Sequence, residues 1–144
     1  MKKPNTLQAL TVLALLPVLA GFFAACDSGY QPKPHITHTF ESQPNLEGQQ
    51  VYVLIVTVSI PGRLINQGFL VMLSYPPTVT VVGKDKEGRI VPPNGVDTSN
   101  YYIMDTTIFT FSGIAESTGD ITISVLDNDE KSVAEYPPIS LGAP

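Results

Sequence analysis

Val51 to Ile60 reads Val-Tyr-Val-Leu-Ile-Val-Thr-Val-Ser-Ile, and no other stretch limits the possible folds so tightly. Its β-branched residues lose rotamer freedom in a helix and pack well on a pleated surface, so the run predicts a strand. Side chains alternate across a strand, which puts Tyr52, Leu54, Val56, Val58 and Ile60 on one face. Val51, Val53 and Ile55 line the other, so the first half of the strand is expected to be covered on both sides. Pro61-Gly62 ends it. A strand of this kind needs paired neighbours and a second layer to cover its apolar face.

The rest of the chain supplies them. Thirteen prolines and eleven glycines fall between short alternating runs, which is the punctuation of an all-β protein. His35 to Glu41 predicts a first strand with Ile36, His38 and Phe40 on one face. Gly68 to Tyr75 predicts another, stopped by Pro76-Pro77. Thr78 to Val82 and Arg89 to Val91 flank a tight hairpin at Asp85-Lys86-Glu87-Gly88. Tyr101 to Met104, Thr107 to Ser112 and Ile121 to Leu126 follow, with turns at Ser117-Thr118-Gly119-Asp120 and Asp127-Asn128-Asp129-Glu130. Asn128 is the residue there best suited to left-handed geometry. Lys131 to Tyr136 and Ile139 to Leu141 close the chain around Pro137-Pro138, a pair that suits an edge strand. The fold expected is a two-sheet, immunoglobulin-like sandwich of about eight or nine strands, with no helix after the amino-terminal segment. The buried tryptophan and paired cysteines of antibody domains are missing, so the likeness is one of architecture.

That amino-terminal segment has its own grammar. Lys2-Lys3 precede an apolar run from Leu7 to Ala25, interrupted by Pro17 and Gly21, and the run stops at Cys26. A basic start, an apolar core and a small-residue exit are the parts of an export signal. Phe23-Ala24-Ala25-Cys26 resembles the lipobox of bacterial lipoproteins, with Phe23 where leucine is usual. The resemblance implies a signal helix over residues 1–25, a diacylglycerol thioether on Cys26, cleavage before it and further acylation of the new terminus. Multiple acyl chains hold a protein at a bilayer where one chain is marginal. Asp27 resembles the inner-membrane retention mark of enterobacterial lipoproteins. The location implied is the bacterial cell envelope, on the inner membrane facing the periplasm or on the cell surface. An uncleaved membrane helix and an ordinary secretory signal are the alternatives. Residues 26–34, rich in proline and polar groups, read as a tether, and residues 35–144 as the β domain.

A fainter resemblance lies at Gly68 to Val82. This apolar strand, ending in Tyr75-Pro76-Pro77 and continuing into Thr78 to Val82, is similar to the early strand pair of cohesin modules. Pro76 stands where that family has aspartate, and Thr80 where it has leucine. The likeness implies a nine-strand, jelly-roll-like sandwich specialised for binding.

Charge and chemistry narrow the function. The net charge of −5 becomes −7 without residues 1–25, which carry only Lys2 and Lys3. This argues against nucleic acid and against electrostatic docking on anionic lipid. The chain has a single cysteine, which excludes an internal disulfide. His35 and His38 are three apart, an odd offset that points two strand side chains away from each other and disfavours a shared metal. No nucleophile elbow, phosphate loop or zinc spacing is present, so no enzyme is expected. Asp127, Asp129 and Glu130 are the candidate metal ligands, for Ca²⁺, which takes six to eight oxygens. Asp120, or Asp85 with Glu87, would complete the set from neighbouring loops. Tyr101 and Tyr102 are the candidate ligand-binding aromatics, as a platform for carbohydrate. The function expected is a membrane-anchored lipoprotein whose non-catalytic sandwich binds or supports another envelope protein. A carbohydrate-binding surface module is the alternative.

Overall fold

The computed structural model describes residues 32–142. Nine strands follow one another: β1 (His35–Pro44), β2 (Gln50–Ser59), β3 (Phe69–Ser74), β4 (Thr80–Asp85), β5 (Ile90–Val91), β6 (Asn100–Ile103), β7 (Thr107–Ser112), β8 (Gly119–Leu126) and β9 (Ser132–Leu141). Short 3-10 turns at Gly62–Leu64 and Ile114–Glu116 are the sole helical elements among the described residues. Residues 32–142 are therefore all-β, as their alternating pattern requires.

The strands form two antiparallel sheets, neither closed on itself. One has five strands in the order β1-β2-β7-β4-β5, the other four in the order β6-β3-β8-β9. β2 lies inside the larger sheet, with Leu54 opposite Phe40 of β1 and Phe111 of β7. Both sheets contribute to a single core. Leu54, Val56, Val58, Phe109 and Phe111 come from one, and Val71, Leu73, Tyr101, Ile123 and Val125 from the other. Aromatic edges lock the layers, with Tyr101 against Phe109 at 4.9 Å and Tyr75 against Phe111 at 5.9 Å between ring centroids.

Three connections stay within a sheet, and all three use one turn. At Asn45, Asp85 and Asp127 the side-chain Oδ1 accepts from the backbone N–H groups two and four residues on, at 2.9 to 3.0 Å. The fourth residue of each turn has positive φ: Gly48 (79°), Gly88 (81°) and Glu130 (58°). This corrects the reading of Asn128 as the left-handed position. Capping by Asp127 sets the register of the turn, and that register places Glu130 there.

The antiparallel registers define two ends. β1 begins where β2 finishes, since His35 pairs with Ser59. This near end also holds the turns 85–89 and 127–131. It is laced by Ile60 N–H to Thr106 Oγ1 (3.0 Å), Asn66 N–H to the Met104 carbonyl (3.0 Å) and Lys86 Nζ to Asp105 (2.6 Å). One lateral edge is latched where His38 Nδ1 meets the Tyr136 hydroxyl at 2.8 Å, joining β1 to β9.

Two local expectations are corrected. Lys131 to Tyr136 and Ile139 to Leu141 are not separate strands. β9 runs through Pro137-Pro138, and the register shift between Ile121 and Ile123 absorbs the extra residue as a bulge. Two-sided cover of the first half of β2 holds at Val53 and Leu54, 3 % and 0 % exposed on opposite faces, and fails before them. Tyr52 is 63 % exposed, in the part of β2 that runs on with β1 beyond the last pair with β7, Leu54 with Phe111. Phe40, on the core-facing side of the edge strand β1, is 48 % exposed.

Candidate functional site

Cys26 and residues 1–25, read from sequence as an export signal, lie outside the described residues, as does most of the stretch 26–34 read as a tether. The other sequence-derived candidates fall at three places in the β domain.

The acidic residues Asp127, Asp129 and Glu130 occupy the β8–β9 turn at the near end. Asp127 spends Oδ1 on two backbone N–H groups, which is what a carboxylate in a turn ordinarily does. Asn128 reaches away from the group and donates from Nδ2 to the Gln67 carbonyl at 2.7 Å, pinning the turn to the loop before β3. Among the described residues, no three His, Cys, Asp or Glu side chains converge as metal ligands. Asp120 sits at the opposite end of β8, seven residues or about 23 Å away, where it accepts from the Ser140 hydroxyl at 2.8 Å. Asp85 and Glu87 share the near end but are held by Arg89, at 2.6 and 3.0 Å. Partial burial works to raise the Asp85 carboxyl, and the hydrogen bonds and charge of Arg89 prevail and lower it. His35 and His38 are both exposed and do not share a face, in keeping with their odd spacing.

Tyr101 and Tyr102 separate to opposite faces of β6. Tyr101 is 2 % exposed and belongs to the core, whereas Tyr102 is 47 % exposed. The Tyr102 ring lies across Gly68, where a Cβ would collide with the phenol. Gly68 has φ of +80°, so glycine there serves both the backbone and the ring above it.

Around Tyr102 the register builds a surface that the sequence did not disclose. Tyr102 and Leu126 flank Leu70 directly across the sheet, and Asn100 and Ser124 flank Met72 in the next row. Met72 is 41 % exposed. The rows Tyr102–Leu70–Leu126 and Asn100–Met72–Ser124 carry no charge, in a chain with thirteen acidic residues, and Glu135 of β9 borders the second row beyond Ser124. Each residue was visible as the outward member of a strand. Their adjacency depends on β6 and β8 both pairing with β3, which no local pattern encodes.

Comparison of the chain with family models, with curated proteins and with solved structures finds no match.

Proposed function

We propose that this chain is a bacterial lipoprotein, acylated at Cys26, whose non-catalytic β domain binds or braces another protein of the cell envelope. The two sheets are then the layers of an open sandwich of the immunoglobulin-like or jelly-roll-like kind. The shared core and the repeated crossing of the chain between sheets support that description.

The observation that carries the binding half is the pair of uncharged rows, Tyr102–Leu70–Leu126 and Asn100–Met72–Ser124, on the outer side of β6, β3 and β8. Tyrosine and methionine are enriched at the centres of protein interfaces and charge is depleted there. The lipid half rests on Phe23-Ala24-Ala25-Cys26. Crosslinking in intact envelopes, followed by solubilisation and capture through the chain, tests the first half. Met72→Glu places a charge in the middle of the face without touching the core and is expected to cut partner recovery about tenfold or more. Equal recovery with Met72→Glu would remove this face from the reading, and recovery of no protein from either form would count against binding altogether. Mass spectrometry of the amino-terminal peptide tests the second half. A diacylglyceryl Cys26 is expected, and a bare thiol at that position would end it.

One observation favours carbohydrate as a second reading. The half-exposed Tyr102 ring lies over Gly68, and aromatic faces held in this way support sugar rings. A glycan array repeated with Tyr102→Ala separates the two.

A further inference from the structure

The two lateral edges of the domain differ. One is latched by His38 and Tyr136. At the other, β5 and β6 are the last strands of their sheets, and a cleft of about 540 Å³ opens between them. Its walls include Tyr75, Val81, Val91, Pro93 and Thr98, with Tyr101 among them, and no charged side chain lines it. That volume is within the range of about 300–1,000 Å³ typical of small-molecule sites.

Tyr101 is the group that calls for a ligand. Tyr101 as a residue is 2 % exposed, and a tyrosine hydroxyl held in such a place ordinarily finds a hydrogen-bond partner. Among the described residues it donates to none. No fully buried side-chain polar atom lacks a partner among the described residues, so the Tyr101 Oη reaches surface, and Tyr101 lines the cleft. The neighbouring Tyr75 hydroxyl is different, since it donates to the Thr98 carbonyl at 3.3 Å. Burial, with a contribution from Tyr75, pushes the Tyr101 phenol up, so it stays protonated and able to donate at neutral pH.

We propose that this lateral cleft binds an uncharged, mainly apolar small molecule carrying one hydrogen-bond-accepting oxygen, held by the Tyr101 hydroxyl. Apolar walls supply affinity by excluding water, and the single donor supplies orientation. The absence of charge in the lining disfavours an ionic ligand, whose desolvation nothing would offset.

The probe is ethyl benzoate, with butylbenzene as the comparator that lacks an acceptor. Both are titrated into the full chain while the Val81 and Val91 methyl resonances are followed. Saturable shifts at both valines are expected, with ethyl benzoate binding about three- to tenfold tighter, the worth of one hydrogen bond. Tyr101→Phe removes only the unpartnered hydroxyl, so it is expected to leave Tm within about 2 °C and to abolish the preference. Thr98→Trp, on an exposed loop, is expected to fill the mouth and suppress both titrations. Absence of saturable shifts at Val81 and Val91 would overturn the proposal. So would a preference for ethyl benzoate that survives Tyr101→Phe.

Discussion

Replacing Glu130 with glycine is expected to stabilise the protein, although it deletes a side chain and adds backbone freedom. Glu130 has φ of 58°, in the turn position where the two sister turns carry Gly48 at 79° and Gly88 at 81°. Left-handed geometry costs an L-residue about 1–2 kcal/mol, through the approach of Cβ to the following carbonyl. Glycine avoids that cost but loses about 0.4–1 kcal/mol by enlarging the unfolded ensemble. The Glu130 side chain is exposed and makes no ion pair among the described residues, so little else is lost. The net gain is about 0.5–1 kcal/mol, or about 2–4 °C in Tm for a domain of this size. Gly88→Ala is the mirror experiment. No atom lies within 4 Å of a Cβ built there, so only the backbone difference remains, and a loss of about the same size is expected. Urea denaturation of both variants gives the two values. If Glu130→Gly lowers stability, or Gly88→Ala leaves it unchanged, backbone conformation does not govern these turns and the argument fails. Repeating the Glu130→Gly measurement with Ca²⁺ and with EDTA asks the metal question too, since a calcium site that includes Glu130 would lose stability only when Ca²⁺ is present.

Gly113→Ala is expected to be far more damaging than Gly88→Ala, by about 2–3 kcal/mol or more on urea denaturation. Its φ is +78° and a new Cβ would lie 2.7 Å from the Thr78 backbone carbonyl oxygen. Tm is expected to fall in acid. The hydrogen bond from Lys86 and the N–H of Thr106 hold Asp105 below its usual 3.8, and Ser99 lowers Asp97 likewise. These groups contribute stability above 3.8 that disappears as pH drops through their folded values, and Asp105→Asn should flatten the acid limb. Lys86 is raised above 10.5 by Asp105, so its share is present below 10.5 and fades as alkaline pH passes its folded value. Tyr136→Phe should cost about 0.5–1 kcal/mol. Hydrogen exchange should then quicken selectively in β1, the strand that His38 latches to β9.

The parts of the fold legible in the sequence are those set by local alternation and turn chemistry. Thr107 to Ser112 is β7 without a residue of adjustment, and Asp85 to Gly88 is the expected hairpin. What escaped depends on partners distant in sequence. Tyr52 and Phe40 follow the inward phase correctly, yet stand 63 % and 48 % exposed at an edge of the larger sheet where β1 and β2 outrun β7. Alternation reports phase, and burial also requires something on the other side. Pro137-Pro138 read as an interruption because proline removes a ladder donor, and pairing with β8 through a bulge could not be seen from β9 alone. The candidate sites divide similarly. Opposite facing for Tyr101 and Tyr102 was visible from adjacency, but the cleft beside Tyr101 and the uncharged rows around Tyr102 arise from strand order.

Two consecutive residues without an amide proton sit in β9, the outermost strand of its sheet. Neighbouring peptide units in a strand aim their N–H groups alternately inward and outward, so the pair deletes one donor from each row. A second molecule trying to extend the sheet across that border meets a gap and a bend together. Were these domains crowded side by side on a bilayer, their β9 flanks would pass without zipping into a continuous ribbon, leaving neighbours to meet through side chains instead.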